Sequence, residues 1–195
     1  RLIDARITDG ENDLILATRK GMAIRFNEGD AREMGRATRG VRGIRLREGD
    51  EVVGAVVVQE GSSLLTVTSR GGGKRTRVED YRVQRRGGTG LINFRLSEKT
   101  GDVVGIREVT DDDELMLVTR GGVINRQPAS QIRVIGRATQ GVRVIALDDG
   151  DELMDIAKVA ADLDVDEPDD VDSDEIAVLE DGATEEAGET PETGE

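Results

Sequence analysis

The chain has 195 residues, a formal charge of −14, no cysteine, no histidine and only three aromatic side chains, Phe26, Tyr81 and Phe94. These absences exclude disulfides, Cys/His zinc sites, thiol nucleophiles and imidazole bases, and leave burial to Val, Ile, Leu and Ala, which tilts the fold toward sheet. With no apolar run of membrane-spanning length and no signal peptide, the expectation is a cytoplasmic protein with no membrane partner.

In chain order, residues 1–8 (RLIDARIT) read as a strand ending at the Asp9-Gly10 turn. LILAT (14–18) is a buried strand, Lys20-Gly21 a hairpin turn and MAIRFN (22–27) an alternating strand. A polar loop follows over 27–35, with one helical turn around Ala31 to Met34. A third strand over 41–46 leads through REGD (47–50) to a fourth over 52–58.

This unit recurs. Thr18, Thr68 and Thr119 are 50 and 51 residues apart, as are Gly21, Gly71 and Gly122; Arg25, Arg75 and Arg126; Arg36, Arg86 and Arg137; and Gly40, Gly90 and Gly141. Ile44, Phe94 and Ile145 keep the same spacing. Register-locked positions over three copies identify a repeat architecture. Four short strands per period imply blades that hide their faces by stacking radially, because one small sheet cannot bury both faces alone. The expected division is a last strand of an upstream blade over 1–10, blades over 11–58, 59–109 and 110–160, and a disordered acidic tail over 161–195. Three blades make an open arc unless upstream repeats complete a disc of about five or six. A first residue of Arg, not Met, agrees with a fragment.

The negative charge is unevenly placed. Residues 159–195 hold 16 acids and no base, so residues 1–158 carry 25 acids and all 27 bases, a net of +2. Of those bases, 22 fall in three clusters over 19–47, 70–95 and 120–143, the last with no acid at all. Arg outnumbers Lys 23 to 4. That bias fits phosphate recognition, and equally a GC-rich or salt-adapted genome.

The densest cluster surrounds Gln84-Arg85-Arg86-Gly87-Gly88-Thr89-Gly90. Its counterparts are Gly35-Arg36-Ala37-Thr38-Arg39-Gly40 and Gly136-Arg137-Ala138-Thr139-Gln140-Gly141. Each is a turn with an Arg at the same register and glycines on its flanks. Glycine permits close backbone approach to phosphate and arginine supplies a matching planar fork. A single such loop is more simply a glycine turn with a solvated Arg; three in register on successive blades favour a bent polyanion. Arg42 and Arg143 extend these patches, and Arg70, Lys74 and Arg75 build a basic hairpin in the middle repeat. GGGKRT (71–76) lacks P-loop spacing. Tyr81 is expected to pack rather than react, and Asp111-Asp112-Asp113-Glu114 to be a solvated turn rather than a cation site.

MGRATRGVRGIRL (34–46), TSRGGGKRTRVEDY (68–81) and IGRATQGVRVIAL (135–147), followed by an acidic tail, resemble the closing blades of the C-terminal domain of the DNA gyrase A protein family. The resemblance covers essentially the whole chain. It implies an all-β fold of β-pinwheel blades, each of four antiparallel strands, with a basic rim that wraps duplex DNA. Residues 84–90 resemble that family's gyrase box, with Thr89 where a base is expected and in the penultimate blade rather than the first. The box-like motif is therefore read as a copy, the principal box lying upstream.

On this resemblance the chain is not an enzyme by itself and holds no cofactor. ATP and magnesium are used elsewhere in the intact topoisomerase. Its implied partners, besides duplex DNA, are the rest of the gyrase A polypeptide and the ATPase polypeptide, gyrase B, in a heterotetramer on the chromosome. The expected DNA contacts are Arg36, Arg39, Arg42, Arg70, Lys74, Arg75, Arg85, Arg86, Arg137 and Arg143. The alternatives are the homologous domain of topoisomerase IV, which steers substrate choice, and a propeller scaffold for proteins. The latter depends on recurring Trp, Tyr or His that this chain lacks in register.

Overall fold

The computed structural model describes residues 2–159; the acidic stretch from 160 onward, and with it the expected disordered tail, lies outside the described residues. The strands are β1 (Asp13–Thr18), β2 (Met22–Asn27), β3 (Val52–Val57), β4 (Ser63–Thr68), β5 (Gly72–Arg77), β6 (Leu91–Ile92), β7 (Val103–Val109), β8 (Glu114–Thr119), β9 (Ile124–Pro128), β10 (Val142–Arg143) and β11 (Leu153–Lys158). The fold is all-β. Short 3-10 turns follow each second strand, at Glu28–Asp30, Val78–Asp80 and Ala129–Gln131, and replace the helical turn expected at residues 31–34.

The β1–β2 and β4–β5 hairpins close on Gly21 and Gly71, with φ of 79° and 76°. Each glycine N–H donates to the carbonyl of a threonine, Thr18 or Thr68, at 3.0 Å. A left-handed residue is needed there, and only glycine adopts it without strain.

Sheets and repeats do not share boundaries. The first sheet runs β3-β1-β2-β6, the second β10-β5-β4-β7 and the third β11-β8-β9, all antiparallel. Thus β6, from the second repeat, pairs with β2 of the first, with Ala23 opposite Leu91 and Met22 opposite Ile92. Likewise β10 of the third repeat joins β5 of the second, with Gly73 opposite Val142 and Gly72 opposite Arg143. Repeat spacing had suggested that each sheet uses the four strands of its own repeat; instead the third strands of the second and third repeats are lent to the sheet before them. The crossing begins with single parallel bridges, Arg25 to Val83 and Arg75 to Val134. It is completed at Gly90 and Gly141, where a Cβ would stand 2.4 Å from the Ala23 carbonyl and 2.7 Å from that of Gly73. Only a residue without a side chain passes there.

Two expected strands are not formed. Residues 41–46 pair with no sheet, because among the described residues no sheet comes before that of β1 to receive them. Residues 2–8 meet the β3 edge through side chains: the Asp4 carboxylate accepts the Ala55 N–H and Arg6 Nε donates to the Ala55 carbonyl, both at 3.2 Å.

Burial follows the stacking of sheets. Ile15, Ala17, Ala23 and Val56 of the first sheet pack on Leu64, Val78, Tyr81 and Ile106 of the second repeat. Leu65, Val67 and Val109 pack on Leu115, Leu117, Leu153 and Ile156 of the third. The fourth strands β3, β7 and β11 converge, Gly54 lying against Ile106 and Gly105 against Ile156. No helix among the described residues is long and apolar enough to cross a membrane.

Candidate nucleic-acid interface

The loops over 35–40, 85–90 and 136–141 each precede a third-strand segment, and strand exchange carries the second and third of them onto the preceding repeat. Arg86 donates from Nη1 to the Arg42 carbonyl at 2.5 Å and from Nε to the Asp30 carbonyl at 3.1 Å. Arg137 repeats the first bond, Nη1 to the Ile92 carbonyl at 2.5 Å. Arg36 belongs to the same series but is exposed, and a Cβ on Gly35 or Gly40 would meet nothing within 4 Å. The register that suggested three phosphate ligands therefore also encodes a stitch between repeats, made at two of the three positions.

The loop interiors are held by their own groups. Gln84 N–H donates to the Arg25 carbonyl at 2.8 Å and Gly87 N–H to that of Gly43 at 2.6 Å. Thr38 and Thr139 turn their hydroxyls back onto the carbonyls of Gly35 and Gly136, at 2.7 and 2.9 Å. Arg85 and Thr89 are exposed and Gly88 packs on Ile24. The free cationic tip of the box-like motif is Arg85.

Strand exchange brings two further cations to these junctions. Arg45 N–H donates to the Gly88 carbonyl at 2.8 Å and Arg95 N–H to the Thr139 carbonyl at 2.9 Å, with both residues exposed. The first junction thus gathers Arg42, Arg45, Arg85 and Arg86, and the second Arg95 and Arg137, with Arg143 exposed on β10. Arg45 and Arg95 were absent from the expected contacts although they are 50 residues apart, the same interval that singled out the others.

Lys74 and Arg75 correct the expected set, because both are buried. Lys74 Nζ donates to the carbonyls of Gly136, at 2.9 Å, and Arg137, and lies 5.5 Å from the centre of the Phe94 ring. Burial, reinforced by the charge of Arg137, pushes its pKa down to about 8. Arg75 donates from Nε to the Ile132 carbonyl at 2.8 Å and pairs through Nη1 with Asp111 at 2.5 Å. Arg25 makes the equivalent clamp one repeat earlier, on Asp13 and the Val78 carbonyl. These side chains join blades, and Lys74 and Arg75 are buried away from an external phosphate.

Tyr81 is buried as expected, its hydroxyl donating to Asn93 Oδ1 at 2.5 Å, and burial raises its pKa. Three of the acids at 111–114 are engaged by cations: Asp111 by Arg75, Glu114 by Arg126, and Asp113 by Lys158 at 2.9 Å, while Asp113 also accepts the Thr110 N–H at 2.7 Å.

Charge pairing separates two regions. Near the hairpin turns Arg19 pairs with Glu51 and Asp102, both at 3.0 Å, and Arg120 with Glu152 at 2.8 Å. Arg70 lies beside them, lining the same cleft, apart from the junction arginines. Among the described residues no ion pair is formed by Arg36, Arg39, Arg42, Arg45, Arg70, Arg85, Arg86, Arg95, Arg137 or Arg143. Solvent-accessible arginines without carboxylates retain their field, and all but Arg86 and Arg137, which bond main-chain carbonyls, keep their donors for an external anion.

The family profile of the DNA gyrase C-terminal domain, a beta-propeller, matches residues 12–59, 62–110 and 113–160. The DNA gyrase A protein of Haloquadratum walsbyi is 46% identical over 158 residues, 80% of this chain and 18% of that protein. The DNA gyrase A protein of Staphylococcus aureus strain MRSA252 is 44% identical over 183 residues, 93% of this chain and 20% of that protein. The chain thus spans about a fifth of the length of the curated relatives it matches. A solved DNA gyrase A C-terminal domain superposes with a TM-score of 0.73 at 34% identity, covering 77% of this chain and 52% of that one. The C-terminal domain of a DNA topoisomerase IV gives 0.75 at 27% identity, covering 80% and 49%.

Proposed function

The chain belongs to the DNA gyrase C-terminal domain family, and from that premise we propose that its folded part holds duplex DNA by the phosphates, without reading sequence. The observation that carries this reading is the run of accessible arginines that, among the described residues, form no ion pair at successive junctions: Arg42, Arg45 and Arg85, then Arg95, Arg137 and Arg143. Arg36 and Arg39 continue it on the first loop. Cations repeated along stacked blades suit a continuous, curved polyanion. Arginines repeated at one register along the blades suit contacts to phosphates, which position the duplex and carry no sequence information directly.

In this reading the domain wraps DNA for an intact gyrase and supports negative supercoiling by the whole enzyme. Cleavage, ATP hydrolysis and magnesium binding then fall to the rest of the gyrase A polypeptide and to gyrase B, at the chromosome in the cytoplasm. The full-length curated relatives quoted above are gyrase A proteins, which supports gyrase over the substrate-steering role of a topoisomerase IV domain.

A titration of duplex DNA at several salt concentrations tests the proposal. Neutralising about six to eight phosphates predicts a slope of roughly −5 to −7 in log K against log salt. Affinity that ignores salt, or that differs strongly between sequences of equal length, overturns it.

A further inference from the structure

Three positions are arginine in every repeat: Arg25, Arg75 and Arg126; Arg36, Arg86 and Arg137; and Arg32, Arg82 and Arg133. The first set pairs with a carboxylate each time, Asp13, Asp111 and Glu114. The second stitches repeats together through Arg86 and Arg137. The third has no such task. Arg32, Arg82 and Arg133 are exposed, form no ion pair among the described residues, and are not among the arginines whose guanidinium hydrogen-bonds within the fold. Arg32 precedes a loop that no described sheet receives, so the inference rests on Arg82 and Arg133, each set between two described repeats.

The backbone at both positions is fixed. Each follows the buried residue that ends a 3-10 turn, Tyr81 or Ile132. The carbonyl of Ile132 accepts from Arg75 Nε at 2.8 Å, and that of Arg133 itself accepts the Arg75 main-chain N–H at 3.1 Å. One repeat earlier, Arg25 Nη1 donates to the carbonyls of Val78 and Tyr81 at 3.0 and 3.5 Å, and Val83, next to Arg82, bridges to Arg25. The clamping arginines thus pin the peptides that carry the exposed ones. A guanidinium on such a peptide gives up only side-chain freedom when it meets an anion.

Placement and charge agree. Arg82 and Arg133 stand where the chain crosses to the preceding sheet, four residues before Arg86 and Arg137, so each junction has a cation at its entrance. Glu79 and Asp80 are close in sequence to Arg82 but do not pair with it, and no acid lies from 120 to 143 around Arg133. Resting on the phosphate-binding reading above, we propose that Arg82 and Arg133 are two further ligands for phosphates of the same duplex, one at each junction, held in place by the Arg25 and Arg75 clamps.

Salt titrations of the full chain with duplex DNA test this. Arg82→Ala combined with Arg133→Ala should flatten the slope of log K against log salt by about two, with denaturant unfolding unchanged. With DNA bound, both arginines of the wild type should be shielded from a dicarbonyl that modifies guanidinium groups, while Arg120, beside the hairpin turns and paired with Glu152, reacts as it does without DNA. An unchanged slope in the double variant, or equal modification of Arg82 and Arg133 with and without DNA, overturns the proposal. If Arg85→Ala still flattens the slope in that case, the phosphate-binding reading stands without it. A double variant that unfolds more easily would assign these arginines a structural task and overturn the proposal as well. Wild-type affinity indifferent to salt removes the phosphate-binding reading itself, and the two added ligands with it.

Discussion

Arg86 donates its guanidinium to the main-chain carbonyl of Arg42, 44 residues earlier and in the preceding repeat, at 2.5 Å. A residue chosen for its charge is therefore also a fastener. Arg85, its neighbour, makes no such bond. Arg86→Ala should lower stability by about 1–2 kcal/mol, because it removes the guanidinium's two partly exposed hydrogen bonds to the Arg42 and Asp30 carbonyls, and also flatten the salt slope of DNA binding by about one. Arg85→Ala should flatten the slope equally with unfolding unchanged. Denaturant unfolding and salt titrations on the two variants separate the roles; an Arg86→Ala chain as stable as wild type would show the bond to be idle.

Lys74 gives a pH signature. Its pKa falls from 10.5 in the unfolded chain to about 8 in the fold. Below pH 8 both states are protonated and the fold bears the whole cost of burying the charge. Between pH 8 and 10.5 the unfolded chain keeps a proton that the native state has released, so stability rises with pH across that window and levels above it. Relative to Lys74→Met, wild type should gain up to about 3 kcal/mol over this interval. Taking the difference cancels groups common to both, including Tyr81, whose raised pKa acts in the opposite sense above its ordinary value. A flat difference would mean that the ammonium is solvated. The DNA salt slope should be the same in Lys74→Met as in wild type.

These two side chains show what sequence can reveal here. Register-locked residues such as Thr18, Thr68 and Thr119 disclosed the hairpins, the period and the all-β class, because a turn geometry must recur wherever the unit recurs. Which sheet a third strand joins was not legible, since spacing is identical whether Leu91 pairs within its own repeat or with Ala23. The assignment of Lys74 and Arg75 to the surface rested on charge. In β5, however, every residue from Gly73 to Thr76 is buried, because the sheet is covered on both faces. Arg45 and Arg95 were missed for the converse reason: strand exchange, not the motif, brings them beside the loops.

Gly90 and Gly40 occupy one register in different surroundings. Gly90→Ala places a Cβ against the Ala23 carbonyl and forces an alanine to φ near 73°, so a loss of about 2 kcal/mol or more is expected. Gly40→Ala, with nothing within 4 Å of the added Cβ, should change unfolding little. Chemical denaturation of both decides the matter; equal losses would mean that the crowding at Gly90 relaxes freely.

Residues 160–195 carry all 16 of the acids that follow Val159 and no base. A tethered polyanion of that charge, at an effective concentration on the order of millimolar, is expected to compete with DNA for the accessible arginines. Removing it should tighten binding several-fold at low salt and much less at high salt, where screening weakens both rivals. Equal affinities at low salt would leave it a solubilising appendage.

Strand exchange also determines how these blades bear load. Were neighbouring sheets joined only by apolar faces, tension could peel them apart side chain by side chain. Here parting the first two repeats means drawing β6 out of the first sheet, breaking its backbone bonds to β2 together with the Arg86 and Arg25 clamps. A stiff duplex bent around such a surface pulls outward, since bending stores elastic energy. If the chain holds such a duplex, it would answer as a belt whose links are threaded through one another, with recoil at one blade shared with the next.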